Sequence, residues 1–183
     1  TITGPTTLNG NVNTGTSGTL GITGNVSLDT GAIVIDTSNG GGGTVTITGT
    51  LDGGQNLDIL SGTALTSITG NIGAGTPLTS LDIQQSAGAG GITLGGNIGV
   101  TNTAGAGTTR LGNTNTTGTI TLNGTLYHTG EATYTADAFS IGGTDPVFKT
   151  TNLGVEFAEG NVTLADAADL SVTTGNGAIT FGG

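Results

Sequence analysis

The chain has 183 residues, a formal net charge of −10 and two cations, Arg110 and Lys149. That balance argues against nucleic acid and anionic lipid as partners, because phosphate contacts need Lys and Arg. Cysteine is absent, and no stretch approaches the roughly 20 apolar residues of a membrane helix, so neither a disulfide scaffold nor membrane insertion is expected. Charged residues make up 8% and aromatics 3%. The aliphatic residues are regularly placed, which favours order over disorder.

Along the chain one phrase returns: glycine, then Asn or Thr, then a branched aliphatic residue. It occurs at Gly10-Asn11-Val12, Gly24-Asn25-Val26, Gly49-Thr50-Leu51, Gly70-Asn71-Ile72, Gly96-Asn97-Ile98, Gly124-Thr125-Leu126 and Gly160-Asn161-Val162. Ahead of it runs an alternating stretch: Leu20 to Thr23, Val45 to Thr48, Ile92 to Gly95 and Ile120 to Asn123. Alternation of aliphatic with small or polar residues predicts strands with one buried face. Between the phrases lie second strands at Ala32 to Asp36, Leu57 to Ile59, Leu81 to Ile83, Thr109 to Leu111 and Leu170 to Val172. Phe139-Ser140-Ile141-Gly142-Gly143 reads as a further copy inside the longest gap. Ile179-Thr180-Phe181-Gly182-Gly183 reads as the next copy after that. Helical periodicity is nearly absent.

The glycine spacings are 14, 25, 21, 26, 28 and 36. With the hidden copy they average roughly 20–22 residues, within the range of solenoid repeats. The expected fold is therefore all-β: a right-handed parallel β-helix of about eight coils. Handedness rests on the general preference of parallel crossovers and on the resemblance described below. Coils stacked at about 4.8 Å pair each strand with those above and below, and give a rod of roughly 40 Å. Val26, Ile47, Leu51, Ile72, Leu94, Ile98, Leu122, Leu126 and Val162 are expected to form the core column. The glycines would sit at bends where a side chain clashes, with Asn stacking along the axis. Threonine would face outward. Residues 1–183 read as one solenoid segment of a longer repetitive chain, with 127–160 less regular. Each end of a solenoid exposes a strand edge, so more coils or an identical subunit would cover it.

The phrases Asp36-Thr37-Ser38, Thr44 to Gly53, Thr76 to Leu81, Thr129 to Tyr134 and Asn161 to Asp166 carry a resemblance over nearly the whole chain. It resembles the repeat regions of filamentous-haemagglutinin-like large exoproteins of Gram-negative bacteria. The resemblance implies right-handed β-helical fibres, exported to the surface and serving adhesion, biofilm or surface structure.

Candidate chemistry is sparse. Tyr127, His128, Tyr134, Phe148 and Lys149 form a candidate contact patch for a sugar or a partner subunit; the alternative is that the aromatics fill wider coils. His128 is the only histidine. No nucleophile and orienting acid accompany it in the pattern that acyl transfer requires. Asp145, Glu156, Glu159, Asp166 and Asp169 are near in sequence, as a carbohydrate-cleaving β-helix would need, yet only two cations are available to neutralise an acidic substrate. Asp52, Asp58 and Asp82 could bind calcium weakly. No cofactor and no catalytic residue are expected. The expected role is mechanical: a secreted shaft for cell-surface or biofilm attachment. The runner-up is a subunit that polymerises head to tail, and a polysaccharide-active enzyme is a remote third.

Overall fold

The computed structural model describes residues 1–16, 18–85, 90–165 and 168–182. Asp166 and Gly183 of the readings above lie outside the described residues. The chain forms a β-solenoid of about seven turns, and every strand pairing is parallel.

Each coil has three faces. Face A stacks Ile2–Thr3, Leu20–Thr23, Val45–Ile47, Thr66–Ile68, Ile92–Leu94 and Thr119–Leu122. It ends on the distal halves of two long strands, Glu131–Ile141 and Val155–Leu164. Face B follows a corner of a few residues. It stacks Thr6–Leu8, Val26–Leu28, Leu51–Asp52, the single bridging residues Ile72 and Ile98, then Leu126–His128, Val147–Lys149 and Ser171–Thr173. Face C stacks Val12–Asn13, Ile33–Asp36, Asn56–Leu60, Leu78–Gln84 and Ala106–Gly112, then the proximal halves of the long strands and Ile179–Phe181. Because those long strands turn the corner without a break, faces A and C join into one 14-stranded sheet.

The register fixes the repeat. On face A, Ile2, Ile22, Ile47, Ile68, Leu94, Leu122, Ile141 and Leu164 are successive partners. The steps between them are 20, 25, 21, 26, 28, 19 and 23 residues, a mean of about 23, slightly above the 20–22 read from the glycines. Seven steps at about 4.8 Å span about 34 Å.

The single core column of the sequence reading resolves into two. Ile47, Leu94 and Leu122 belong to face A, whereas Val26, Leu51, Ile72 and Ile98 belong to face B. All seven are buried. Leu126 is not in the column. Ile98 bridges to Tyr127, which stacks on Phe148 and through it on Val172. The A-to-B corner is four residues in the earlier coils (Leu94 to Ile98) but five here (Leu122 to Tyr127), so side-chain alternation turns Leu126 half outward. Val162 sits on face A opposite Phe139 and is only half-buried, because it lies near the open end of the stack.

The glycines form a ladder of their own. A Cβ on Gly24, Gly49, Gly70, Gly96, Gly124 or Gly143 would strike the backbone of the ladder glycine one coil earlier, starting from Gly4. Two of the seven phrases do not belong to it. Gly10 meets nothing within 4 Å, and Asn11-Val12 leads into face C. Gly160 and Asn161 lie inside the strand Val155–Leu164, with Gly160 packed over Ala136 and Asp137. The closing phrase Ile179 to Phe181 pairs with Val155 to Phe157 on face C, so it is not a further copy of the face A strand.

The asparagines bond along the axis, through carbonyl oxygens to backbone amides. Oδ1 of Asn25 accepts from Thr50 N (3.2 Å), that of Asn71 from Asn97 N (2.9 Å), and that of Asn97 from Thr125 N (2.8 Å) and Leu126 N (3.1 Å). Outside face A, Thr46, Ser67, Thr93, Thr121, Ser140 and Thr163 form an uncharged hydroxyl column in unbroken register.

Candidate functional site

The five aromatic residues between 127 and 157 do not form a surface. Tyr127, Tyr134, Phe139, Phe148 and Phe157 are each no more than 1% exposed. Inward positions of faces A, B and C carry them, so they replace the aliphatic columns in the C-terminal coils. Tyr127 stacks on Phe148 with centroids 4.7 Å apart, and Phe148 meets Tyr134 and Phe157 edge-on at 5.9 and 5.3 Å. Such pairs add to area burial. Three members of the candidate contact patch, Tyr127, Tyr134 and Phe148, are thus corrected to core.

The two hydroxyls within this core differ. Tyr127 Oη accepts a hydrogen bond from Gly124 N at 2.7 Å. Tyr134 Oη finds no partner among the described residues. Burial pushes both hydroxyl pKa values well up, so both stay protonated.

His128 is also buried, at 4% exposure, and its Nδ1 lies 2.8 Å from Val100 O. Lys149, its register partner one coil on, donates from Nζ to Thr101 O at 3.0 Å. Both therefore pin the turn in which Val100 and Thr103 bridge each other. A side chain tied to a backbone carbonyl in this way serves the turn first.

The carboxylates are dispersed. Asp145 Oδ1 accepts from Asp169 N at 3.3 Å. Glu156 lies in the outward column of face C, opposite Thr133 and Thr180, and Glu159 occupies the bend with a positive φ of 78°. Of the residues considered for calcium, Asp52 uses Oδ1 to accept from Gly75 N (2.8 Å) and Thr76 N (3.2 Å). Asp58 and Asp82 are register neighbours, with Arg110 next in the column. Desolvation, then the charge of Asp82, raises the Asp58 pKa. Among the described residues, no three His, Cys, Asp or Glu side chains gather around a common point. Among them also, no helix is long and apolar enough to cross a membrane.

Sequence reasoning missed a cavity of about 330 Å³ at the end of face C, where the chain leaves toward face A. Ser38, Leu60, Gly62, Gln84, Gln85, Asn113 and Asn115 line it. The register explains the gathering: Asp36, Leu60 and Gln84 are successive partners, and the next coil ends its strand at Gly112, just before Asn113. Gln85 is fully buried and donates through Nε2 to Ala64 O and Gly91 O, both at 2.8 Å. The doublet Gln84-Gln85 and the pair Asn113 and Asn115 were the available signal. Separated by 28 residues, they could be joined only by knowing the register.

No protein-family model, curated protein or solved structure matches the chain.

Proposed function

We propose that this chain is a segment of a secreted structural or adhesive fibre, a rigid shaft on the surface of a Gram-negative bacterium. The observation that carries this reading is the unbroken face A register from Ile2 to Leu164, kept while coil length varies between 19 and 28 residues. Every coil is hydrogen-bonded to its neighbours along the axis, so bending the rod strains many backbone bonds together. Chain length that is not spent on the ladder goes into corners, where contacts to a surface can be made. The likeness to haemagglutinin-type repeat regions gives the same direction. No catalytic residue is assigned.

A second reading has its own support. Ile2 (41% exposed) marks one end, and Ile179 (46%) and Phe181 (52%) the other. Phe181 lies flat on Phe157, 5.2 Å away and tilted by 2°, which leaves its other side bare. Further coils or an identical subunit would cover these groups, and the second arrangement builds a filament.

Electron microscopy of the purified chain tests both. Separate rods about 34 Å long support the shaft module, and threads with the same axial spacing support the polymer. Compact particles with no axial repeat near 4.8 Å would overturn the mechanical reading altogether.

A further inference from the structure

We propose that the cavity at the end of face C is a binding site for a neutral sugar unit. Its size falls within the range of small-ligand pockets. Its wall spans four successive coils, about 14 Å along the axis at the inter-strand spacing, and so forms an elongated recess.

The chemistry of the wall selects the ligand class. Among the lining residues, Gln84 and Asn115 are exposed, and their carboxamides have no protein partner among the described residues. Each can donate and accept at once, as a sugar hydroxyl does. Asn113 is committed: Nδ2 donates to Gln85 O (2.9 Å) and Oδ1 accepts from Asn115 N (2.9 Å), which fixes the rim. Ser38 Oγ donates to Asp36 Oδ1 at 2.6 Å, leaving its lone pairs to accept. Leu60 supplies one half-buried apolar face, suited to the C–H side of a sugar ring.

Gln85 Oε1 is a fully buried acceptor at the wall with no hydrogen-bond partner among the described residues. Buried acceptors of this kind are ordinarily paired. Oε1 is closed off from the recess, so it adds no contact to the site in this arrangement.

Charge argues for a neutral unit over an acidic one. The described lining residues carry no charge. Asp36 stands beside the recess, and its hydrogen bonds from Ser38 Oγ and N favour the ionised carboxylate. An anionic sugar would meet that charge without a cation to offset it.

Saturation-transfer NMR on the intact chain tests the site, with N-acetylglucosamine, galactose and glucose as neutral probes and glucuronate as the acidic one. At roughly 10 mM sugar, where single-ring ligands of weak affinity are detected, at least one neutral probe should receive saturation and glucuronate should not. Gln84→Ala and Asn115→Ala should each weaken binding about fivefold, as expected for one lost hydrogen bond. Both residues are exposed, and an unchanged circular dichroism spectrum confirms that each variant folds. No transfer to any neutral sugar would overturn the proposal, as would transfer that survives both substitutions or a preference for glucuronate. The readout does not depend on filament formation, so it can fail while the mechanical reading stands, and the reverse.

Discussion

Gly96→Ala and Gly10→Ala change the same residue in the same sequence phrase, and the structure assigns them opposite outcomes. A Cβ on Gly96 would lie 2.5 Å from both Gly70 C and Gly70 O and 2.8 Å from Asn71 N. Ordinary contact begins near 3.4 Å, so the two coils must part by about 1 Å at that corner, a local overpacking strain of about 1–3 kcal/mol. Two bonds cross the same gap: Ile72 N to Asn97 O at 2.8 Å and Asn97 N to Asn71 Oδ1 at 2.9 Å. Stretching both beyond hydrogen-bond range costs about 1 kcal/mol each, part of which relaxation of the corner recovers. The expected loss for Gly96→Ala is therefore about 2–4 kcal/mol. At Gly10 nothing lies within 4 Å and φ is not positive, so alanine should be neutral or stabilise by up to about 1 kcal/mol through the unfolded chain. Urea unfolding followed by circular dichroism measures both. Hydrogen exchange adds location: coils touch only their neighbours, so protection should fall around residues 70–98 first. Equal losses in the two variants, within about 0.5 kcal/mol, would refute the stacked-glycine account.

Tyr127→Phe should cost about 1–2 kcal/mol by stranding the Gly124 amide, whereas Tyr134→Phe should be neutral or stabilising because its hydroxyl has no partner among the described residues; denaturant midpoints of the two variants decide. Ile47→Asp places an unpaired charge at a fully buried position and should cost about 3–5 kcal/mol, read as loss of the β-sheet signal at lowered temperature. Asp58 holds its proton more tightly in the folded chain than its ordinary pKa of 3.8 allows. Ionising it therefore opposes folding as pH rises past 3.8 and through the raised value, and the penalty is absent below 3.8. Asp58→Asn should match the parent near pH 3 and exceed it in stability near neutrality; equal pH slopes would show that Asp82 and burial exert no net effect there.

The face A strands were legible because period-two alternation is strong in Val45-Thr46-Ile47 and Ile120-Thr121-Leu122, and the register then follows from burying the same face in every coil. The hidden copy at Phe139 to Gly143 was legible for the same reason. The phrase itself was ambiguous. Gly10-Asn11-Val12 has the composition of a ladder corner, but the next strand it feeds lies on face C, and no local signal separates the two corners. Leu126 and Tyr127 are adjacent and both apolar, so alternation alone could not say which points inward; a corner longer by one residue decided it. The aromatic residues depart from the aliphatic pattern, which left two readings, a contact patch or the filling of wider coils, and their burial decides for the second. The recess lined by Gln84 and Asn115 belongs to residues distant in sequence. Only the stacking of coils of unequal length brings them side by side.

The division between ladder and corner sets how such a chain can change over generations. Steps of 19 to 28 residues all deliver the next face A strand to the same register. An insertion at an exposed corner such as Gly31, where a Cβ would meet nothing within 4 Å, should lengthen one loop and leave the register of the other coils intact. A single methyl group on a ladder glycine disturbs two coils at once. Gains and losses of whole residues should therefore be the permissive route of variation, and substitution of a small residue at the stacked corner the restrictive one. New recognition loops can be tried on this scaffold without retuning its interior.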